Sequence, residues 1–287
     1  APALSVSIKR LEEELNTKLF DRRKGSALFL NDKGQIFLAE VSKALDCLDA
    51  AIKNIQETNH AKNSRLNLAT SSPMLYQDLL VAFRLAHPDI YVSHAYLNLY
   101  QLAQKSQLSR FDCIIAAPGD IPQELLGDLC SCTLYRNDRP LVMVYPTHRF
   151  AARQSISLSE LKGEAFIALE KTASSRKMFD SIFEEAGFLP NIAFECDYGM
   201  RSRLIAETHG LGISTLFVKL STSKSPEIFV ELNDCTYKRK QKLFWSRRAK
   251  NNASLSIFRK FAVAYYQKFD VDNTPIASYY YDNTSIG

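Results

Sequence analysis

No stretch of the chain approaches the run of about eighteen uninterrupted apolar residues that would span a bilayer. The first residues also lack the basic-then-apolar order of a secretion signal, so a soluble cytoplasmic protein is the expectation. There is no Gly-x-Ser-x-Gly, no His-Glu-x-x-His, no glycine-rich phosphate loop and no clustered set of cysteines and histidines. These are the arrangements that activated nucleophiles, zinc hydrolysis and phosphoryl transfer require. The histidines His60, His87, His94, His148 and His209 are dispersed. Enzymatic activity, a metal and a cofactor are accordingly not expected, and no catalytic residue is assigned. The six cysteines (Cys47, Cys113, Cys130, Cys132, Cys196, Cys235) show neither zinc-site spacing nor a disulfide framework. They read as buried thiols; Cys130 and Cys132 stand close together but have no partner set around them.

What is present describes a modular globular protein. The 287 residues exceed one small core and suggest two or three units. Hydrophobic residues at 46% and charged ones at 23% are ordinary for a folded chain. The net charge of +5 is mild but unevenly spread. Between Cys235 and Phe269 there is no Asp or Glu, while Lys238, Arg239, Lys240, Lys242, Arg247, Arg248, Lys250, Arg259, Lys260 and Lys268 all occur. Such a run suits a solvated face, and it also suits a polyanionic partner.

Along the chain, Leu4, Ile8, Leu11 and Leu15 form the stripe of an amphipathic helix over Pro2–Leu15, with Pro2 in a tolerated first-turn position. A basic stretch from Lys18 to Ser26 then turns at Gly25 into the apolar strand Ala27–Leu30, the outline of a winged helix. From the N-cap Asn31 a long helix runs to about Thr58. Its Phe37, Val41, Ala44, Leu48, Ala51 and Ile55 recur at alternating steps of four and three, a heptad seam that buries best against a second copy. Asn59–Ser64 is a polar linker. Short apolar strands then alternate with helices as far as Phe269, which predicts an α/β architecture with a largely parallel sheet, open to ligands at the strand carboxyl ends.

Several of these residues carry a family resemblance. Pro2-Ala3-Leu4-Ser5, Ile8, Lys9-Arg10-Leu11-Glu12, Leu15, Lys18-Leu19-Phe20, Arg22-Arg23 and Gly34 resemble the recognition helix and wing of the LysR-type transcriptional regulators. The rest is similar to that family's effector domain through Pro88-Asp89, Phe111–Ile115, Arg139-Pro140-Leu141-Val142, Glu185-Ala186-Gly187 and Gly210–Ile213. The resemblance implies a partial winged helix-turn-helix at 1–30, its first two helices absent from a chain that begins at Ala1. A dimerisation helix at 31–59 and a hinge at 60–64 would follow. The remainder would be a two-subdomain, periplasmic-binding-protein-like (type 2) domain, with 65–145 and 245–269 in one subdomain, 146–244 in the other, and a tail at 270–287. The crossovers between subdomains are expected at Leu141–Pro146 and Leu243–Arg248.

The resemblance also implies the sites. Ser5, Val6 and Ser7 would face base edges or phosphates, while Lys9, Arg10, Arg22, Arg23 and Lys24 would contact phosphates of promoter DNA. Lys9 and Arg10 equally suit ion pairs with Glu13 and Glu14 at i+4. The effector would lie between the subdomains, against Thr70, Ser71, Ser72, Leu97, Asn98, Ala117, Thr172, Ala173, Ser174, Tyr198 and Met200. Hydroxyls and free N–H groups at helix starts favour an anion such as a carboxylate, although Ser and Thr there also serve as plain caps. Lys171, Arg176 and Arg201 are expected to add positive charge, and Asp197 to ask for a donor on the ligand. The expected partners are a homodimer, a homotetramer and, for an activator, RNA polymerase, with no membrane. A transport-type solute-binding protein of the same fold is the alternative.

Overall fold

The computed structural model describes residues 2–22, 28–59, 64–221, 227–249 and 252–267, and the chain divides into two compact units, Ala1–Lys62 and Asn63–Gly287. Gly25, most of the expected hinge at 60–64 and the tail at 270–287 lie outside the described residues.

The first unit contains α1 (Pro2–Glu14), β1 (Phe20–Arg22), β2 (Leu28–Leu30) and α2 (Asp32–Asn59). The helix α1 closes at Asn16, whose φ of 46° is left-handed backbone that Asn tolerates better than most residues. Strands β1 and β2 pair antiparallel, Phe20 opposite Leu30. What fixes the hairpin to the helix is Glu12. Its buried carboxylate accepts from the N–H groups of Leu19 (2.8 Å) and Phe20 (3.1 Å) and from Lys18 Nζ (3.0 Å). Those bonds, the Leu19 N–H first, hold its carboxyl below the usual range. The side chain of Asn31 caps α2 by accepting from Gly34 N–H (3.0 Å). Helix α2 runs 28 residues and leaves Ile36, Leu38, Leu45 and Leu48 exposed. Of the heptad seam, Phe37 and Val41 are half-buried and Ala44 and Leu48 exposed, while the side chains of Ala51 and Ile55 lie outside the described residues.

The second unit holds, in order, β3 (Arg65–Thr70), α3 (Gln77–Ala86), β4 (Tyr91–Tyr96), α4 (Leu99–Leu102), α5 (Lys105–Leu108), β5 (Cys113–Ala116), α6 (Gln123–Leu126), β6 (Leu129–Asp138), β7 (Pro140–Val144), β8 (Ser155–Ile156), β9 (Ala165–Leu169), α7 (Ser174–Ala186), β10 (Asn191–Cys196), α8 (Tyr198–Thr208), β11 (Gly212–Thr215), α9 (Leu216–Ser221), β12 (Ile228–Leu232), β13 (Arg239–Ser246) and α10 (Ala253–Gln267). Two lobes result. The first sheet has the order β4-β3-β5-β13-β6, and the second β11-β7-β12-β8. The parallel pair β9–β10 joins the second sheet through a bridge between Phe166 and Leu211. Both sheets are mixed rather than largely parallel, because β13 enters the first sheet antiparallel and β7 lies antiparallel to β11 and β12.

Alternation along the strands builds a core on each face. Cys113 and Ile115 of β5 turn to α3 and α10, packing with Leu79, Phe83 and Phe258, while Ile114 and Ala116 turn to Leu102, Leu108 and Ile121. In the second lobe Val142 and Val144 meet Phe179, Ile182 and Phe183 of α7, and Leu141 and Met143 meet Ile205 and Leu216.

The crossovers differ from the expected places. Residues 141–144 belong to β7 in the second sheet, and residues 243–246 belong to β13 in the first. The chain changes sheet at Arg139 and returns between Leu232 and Arg239. An apolar run of four suits a crossover and a core strand alike; burial on both faces makes Leu141–Val144 a core strand. The expected division at 145/146 and 244/245 thus falls inside or beyond strands of the wrong lobe.

Candidate functional site

The carboxyl ends of the parallel strands β3, β4 and β5 bring Thr70–Ser72, Leu97–Asn98 and Ala117 to one edge of the first lobe. The parallel strands β9 and β10 do the same in the second lobe, delivering Thr172–Ser174 into α7 and Tyr198–Met200 into α8. These two edges meet. Leu99 N–H donates to Thr172 O (2.8 Å), Ser174 Oγ donates to Asp120 Oδ2 (2.6 Å), and Lys177 Nζ reaches Gly119 O (2.6 Å). The rings of Tyr96 and Tyr198 stand edge to face, 5.8 Å apart. The structure therefore brings the expected residues to two facing edges, at strand carboxyl ends.

Their individual roles are uneven. Thr70 Oγ1 donates to Ser72 O (3.0 Å) and lies 2.9 Å from His94 Nε2, an imidazole whose pKa burial pushes down. Ser71 is wholly buried, its N–H on Ile115 O, and Ser72 Oγ accepts from Met74 N–H (3.3 Å). Leu97 packs in the core beside Ala69 and Leu102. Asn98 is engaged in a reciprocal capping box with Gln101. Ala117 N–H donates to Asp120 Oδ2, Ala173 is buried, Tyr198 OH donates to Ser175 Oγ (3.0 Å), and Met200 is exposed.

The charges expected at the cleft are mostly spent elsewhere. Arg176 is buried and donates to Leu169 O, Glu195 and Asp180, clamping α7 to the sheet. Arg201 donates to Ile213 O inside the second lobe. Asp197 caps α8 through the N–H groups of Gly199 and Met200, so it makes no demand on a ligand. The charge that does stand where the edges meet belongs to Arg239, 3% exposed at the start of β13. Burial opposes its charge, but Asp120 beside it prevails and holds the guanidinium firmly protonated. Sequence reasoning missed Arg239, Asp120 and Gln241. One signal was available: Arg239 and Gln241 continue backward the alternation of the buried Leu243 and Trp245.

In the first unit, Lys9 and Arg10 make the i+4 pairs with Glu13 (3.7 Å) and Glu14 (3.1 Å). Both pairs are solvent-exposed and worth only about 0.3–0.5 kcal/mol each, so they do not keep either base from a phosphate. Val6 and Ser7 are exposed. The side chains of Ser5 and Arg22, and all of Arg23 and Lys24, lie outside the described residues.

Residues 60–267 match the family model of the LysR substrate binding domain. The chain belongs to the LysR family. It is 31% identical over 250 residues to a protein of Bacillus subtilis (strain 168) described as the uncharacterized HTH-type transcriptional regulator YybE, covering 82% of this chain and 80% of that one. Its fold is shared with full-length CbnR solved with its target DNA (TM-score 0.64, 15% identity, 93% of this chain and 90% of that one). It is also shared with the regulatory domain of CcmR from Synechocystis PCC6803 in complex with 2-PG (TM-score 0.60, 20% identity, 72% of this chain and 99% of that one). A LysR-family transcriptional regulator with an effector-binding domain accounts for both lobes, and it sets aside the transport-type reading. Among the described residues no helix is long and apolar enough to cross a membrane, and no group of three potential metal ligands occurs.

Proposed function

We propose that this LysR regulator binds promoter DNA through α1 and the β1–β2 wing, dimerises along α2, and is controlled by an anionic small molecule held between its lobes. The observation that carries the effector reading is the meeting of the two strand-end edges around a buried, protonated Arg239, with Leu99 N–H on Thr172 O at one side and Ser174 on Asp120 at the other. Thr70–Ser72, Leu97, Asn98, Ala117, Thr172–Ser174, Tyr198 and Met200 form its walls. The regulatory domain of CcmR, of the same fold, is solved in complex with 2-PG, which supports a small-molecule effector.

On the DNA side, Ser5, Val6 and Ser7 meet base edges, and Lys9, Arg10, Arg22, Arg23 and Lys24 meet phosphates. The CbnR complex with DNA, again of the same fold, supports this reading. Exposed Leu45 and Leu48 on α2 favour a second copy as its cover. A ligand bridging the lobes biases their closure and so the spacing of the DNA-binding heads in a dimer or tetramer. For an activator, the next partner is RNA polymerase. The test is a thermal-shift screen of organic acids against the full chain: a ligand binding only the native state raises Tm with concentration. If no acid does so, the effector reading is lost.

A further inference from the structure

Near the meeting of the two strand-end edges lie two buried donors that no described residue uses. They are Arg239 Nη1 and Gln241 Nε2, on side chains 3% and 0% exposed. Lys240 between them is exposed, so positions 239 and 241 face the same side of β13. The other half of each group is engaged: Gln241 Oε1 accepts from Tyr76 OH (2.7 Å), and Arg239 Nη2 donates to Ser174 Oγ and to Asp120 Oδ2. The same Asp120 oxygen accepts from Ser174 Oγ and Ala117 N–H. Ser174 opens the 13-residue helix α7, whose N-cap, Ala173, offers no side chain to cap it. A carboxylate of the protein thus sits where an anion would, on the first residue of a long helix and against a buried arginine.

We propose that Asp120 is the built-in occupant of the anion position in this cleft, and that Arg239 Nη1 and Gln241 Nε2 are left to receive an uncharged oxygen of the effector, a hydroxyl or a carbonyl. The effector is then an acid bearing such a group, with the acid directed outward, where Lys171 and Lys177 are exposed. The argument is one of charge. Asp120 already offsets Arg239, and Asp138 lies opposite Arg239 on β6. A second carboxylate there would leave the buried site with net negative charge, which desolvation and repulsion oppose. A neutral oxygen satisfies both donors without that cost. The proposal rests on the reading that the effector binds between the lobes.

The test uses the full chain and two small probes, acetate and glycolate, against chloride at matched ionic strength. Asp120→Asn keeps an amide oxygen for Ala117 N–H and Ser174 Oγ but removes the charge. Its Tm is expected to rise with acetate, with a fitted affinity at least about tenfold above wild type. Wild type is expected to respond to glycolate more than to acetate, and Gln241→Leu to lose that preference; this second variant serves if Asp120→Asn folds poorly. An Asp120→Asn chain no more responsive to acetate than wild type overturns the proposal. So does a wild type that prefers acetate, or a preference for glycolate that survives in Gln241→Leu. Those results leave the effector reading standing, whereas failure of every acid in the wider screen removes the reading itself.

Discussion

Asp138, at the end of β6 where the chain crosses between lobes, should make the protein less stable as pH rises toward neutrality. Its carboxyl is completely buried, and burial pushes its pKa from 3.8 up to about 7, against the pull of the Phe217 N–H, the Thr215 hydroxyl and the Arg239 charge. The groups facing it are Arg239, Tyr76, Tyr135, Tyr237 and Tyr266, and only Asp138 among them has a shifted value near neutral pH. A carboxyl whose native pKa is raised binds its proton more tightly folded than unfolded. Its contribution is therefore most favourable below about pH 4 and is lost as pH climbs to about 7. Three units at 1.36 kcal/mol each give about 4 kcal/mol as an upper figure. At 2–4 °C per kcal/mol for a domain of this size, that is on the order of 10 °C in Tm. Asp138→Asn keeps an oxygen for the Phe217 N–H (3.0 Å in the parent) and cannot ionise. Its Tm minus that of the wild type should rise steadily between pH 4 and pH 8, and taking the difference cancels the titration of every other group. A difference that is flat in pH, or that falls, refutes the burial argument.

Two further substitutions probe the scaffold. An ideal Cβ at Gly34 would stand 2.2 Å from the backbone oxygen of Leu19 and 2.7 Å from Leu30 Cδ2, so Gly34→Ala must push the wing off α2. The clash, about 1–3 kcal/mol, outweighs the roughly 1 kcal/mol that Ala gains as a helix former. Amide exchange at Leu19 and Asn31 should accelerate in this variant, and unchanged exchange counts against it. Arg176→Met removes the clamp on Leu169 O and on Glu195 (2.5 Å) and Asp180 (2.8 Å); because both carboxylates are partly exposed and can return to water, the loss should be about 1–3 kcal/mol in urea denaturation. Ligand affinity should stay at the wild-type value; full stability with lost affinity would falsify the structural role.

The parts of this protein legible in its sequence are those set by local period. The stripe of α1, the long α2 and most strands of the second unit follow from apolar spacing, although β13 begins at Arg239, four residues before the expected Leu243. Strand β6 escaped because its half-buried pattern runs through Cys, Ser, Arg, Asn and Asp, and because Asn137 takes a left-handed φ of 50° just before the crossover. The crossovers escaped because burial on both faces makes β7 look the same in either lobe. The site around Arg239 escaped for a different reason. A lone Asp and a lone Arg read as surface residues, and nothing local shows that positions 120 and 239 will share a hydrogen-bonded site.

The two lobes are joined by different kinds of contact on their two sides, and this bears on what an effector must do. On one side α9 leaves the second sheet and packs into the core of the first lobe: Phe217 stacks on Tyr135 at 3.8 Å and gives its N–H to Asp138, while Leu216 N–H donates to Arg139 O. A buried aromatic contact with its hydrogen bonds holds that side at several kcal/mol. On the other side stand the bonds Leu99–Thr172, Ser174–Asp120, Lys177–Gly119 and Arg239–Ser174, with the Tyr96 and Tyr198 rings edge to face; the neutral bond is worth about 1 kcal/mol net and those involving a charged group about 1.5–3 kcal/mol each. Moving a two-state equilibrium from one extreme to the other takes about 5.5 kcal/mol of differential binding. A ligand that biases the lobes from that side must match or outdo those bonds there.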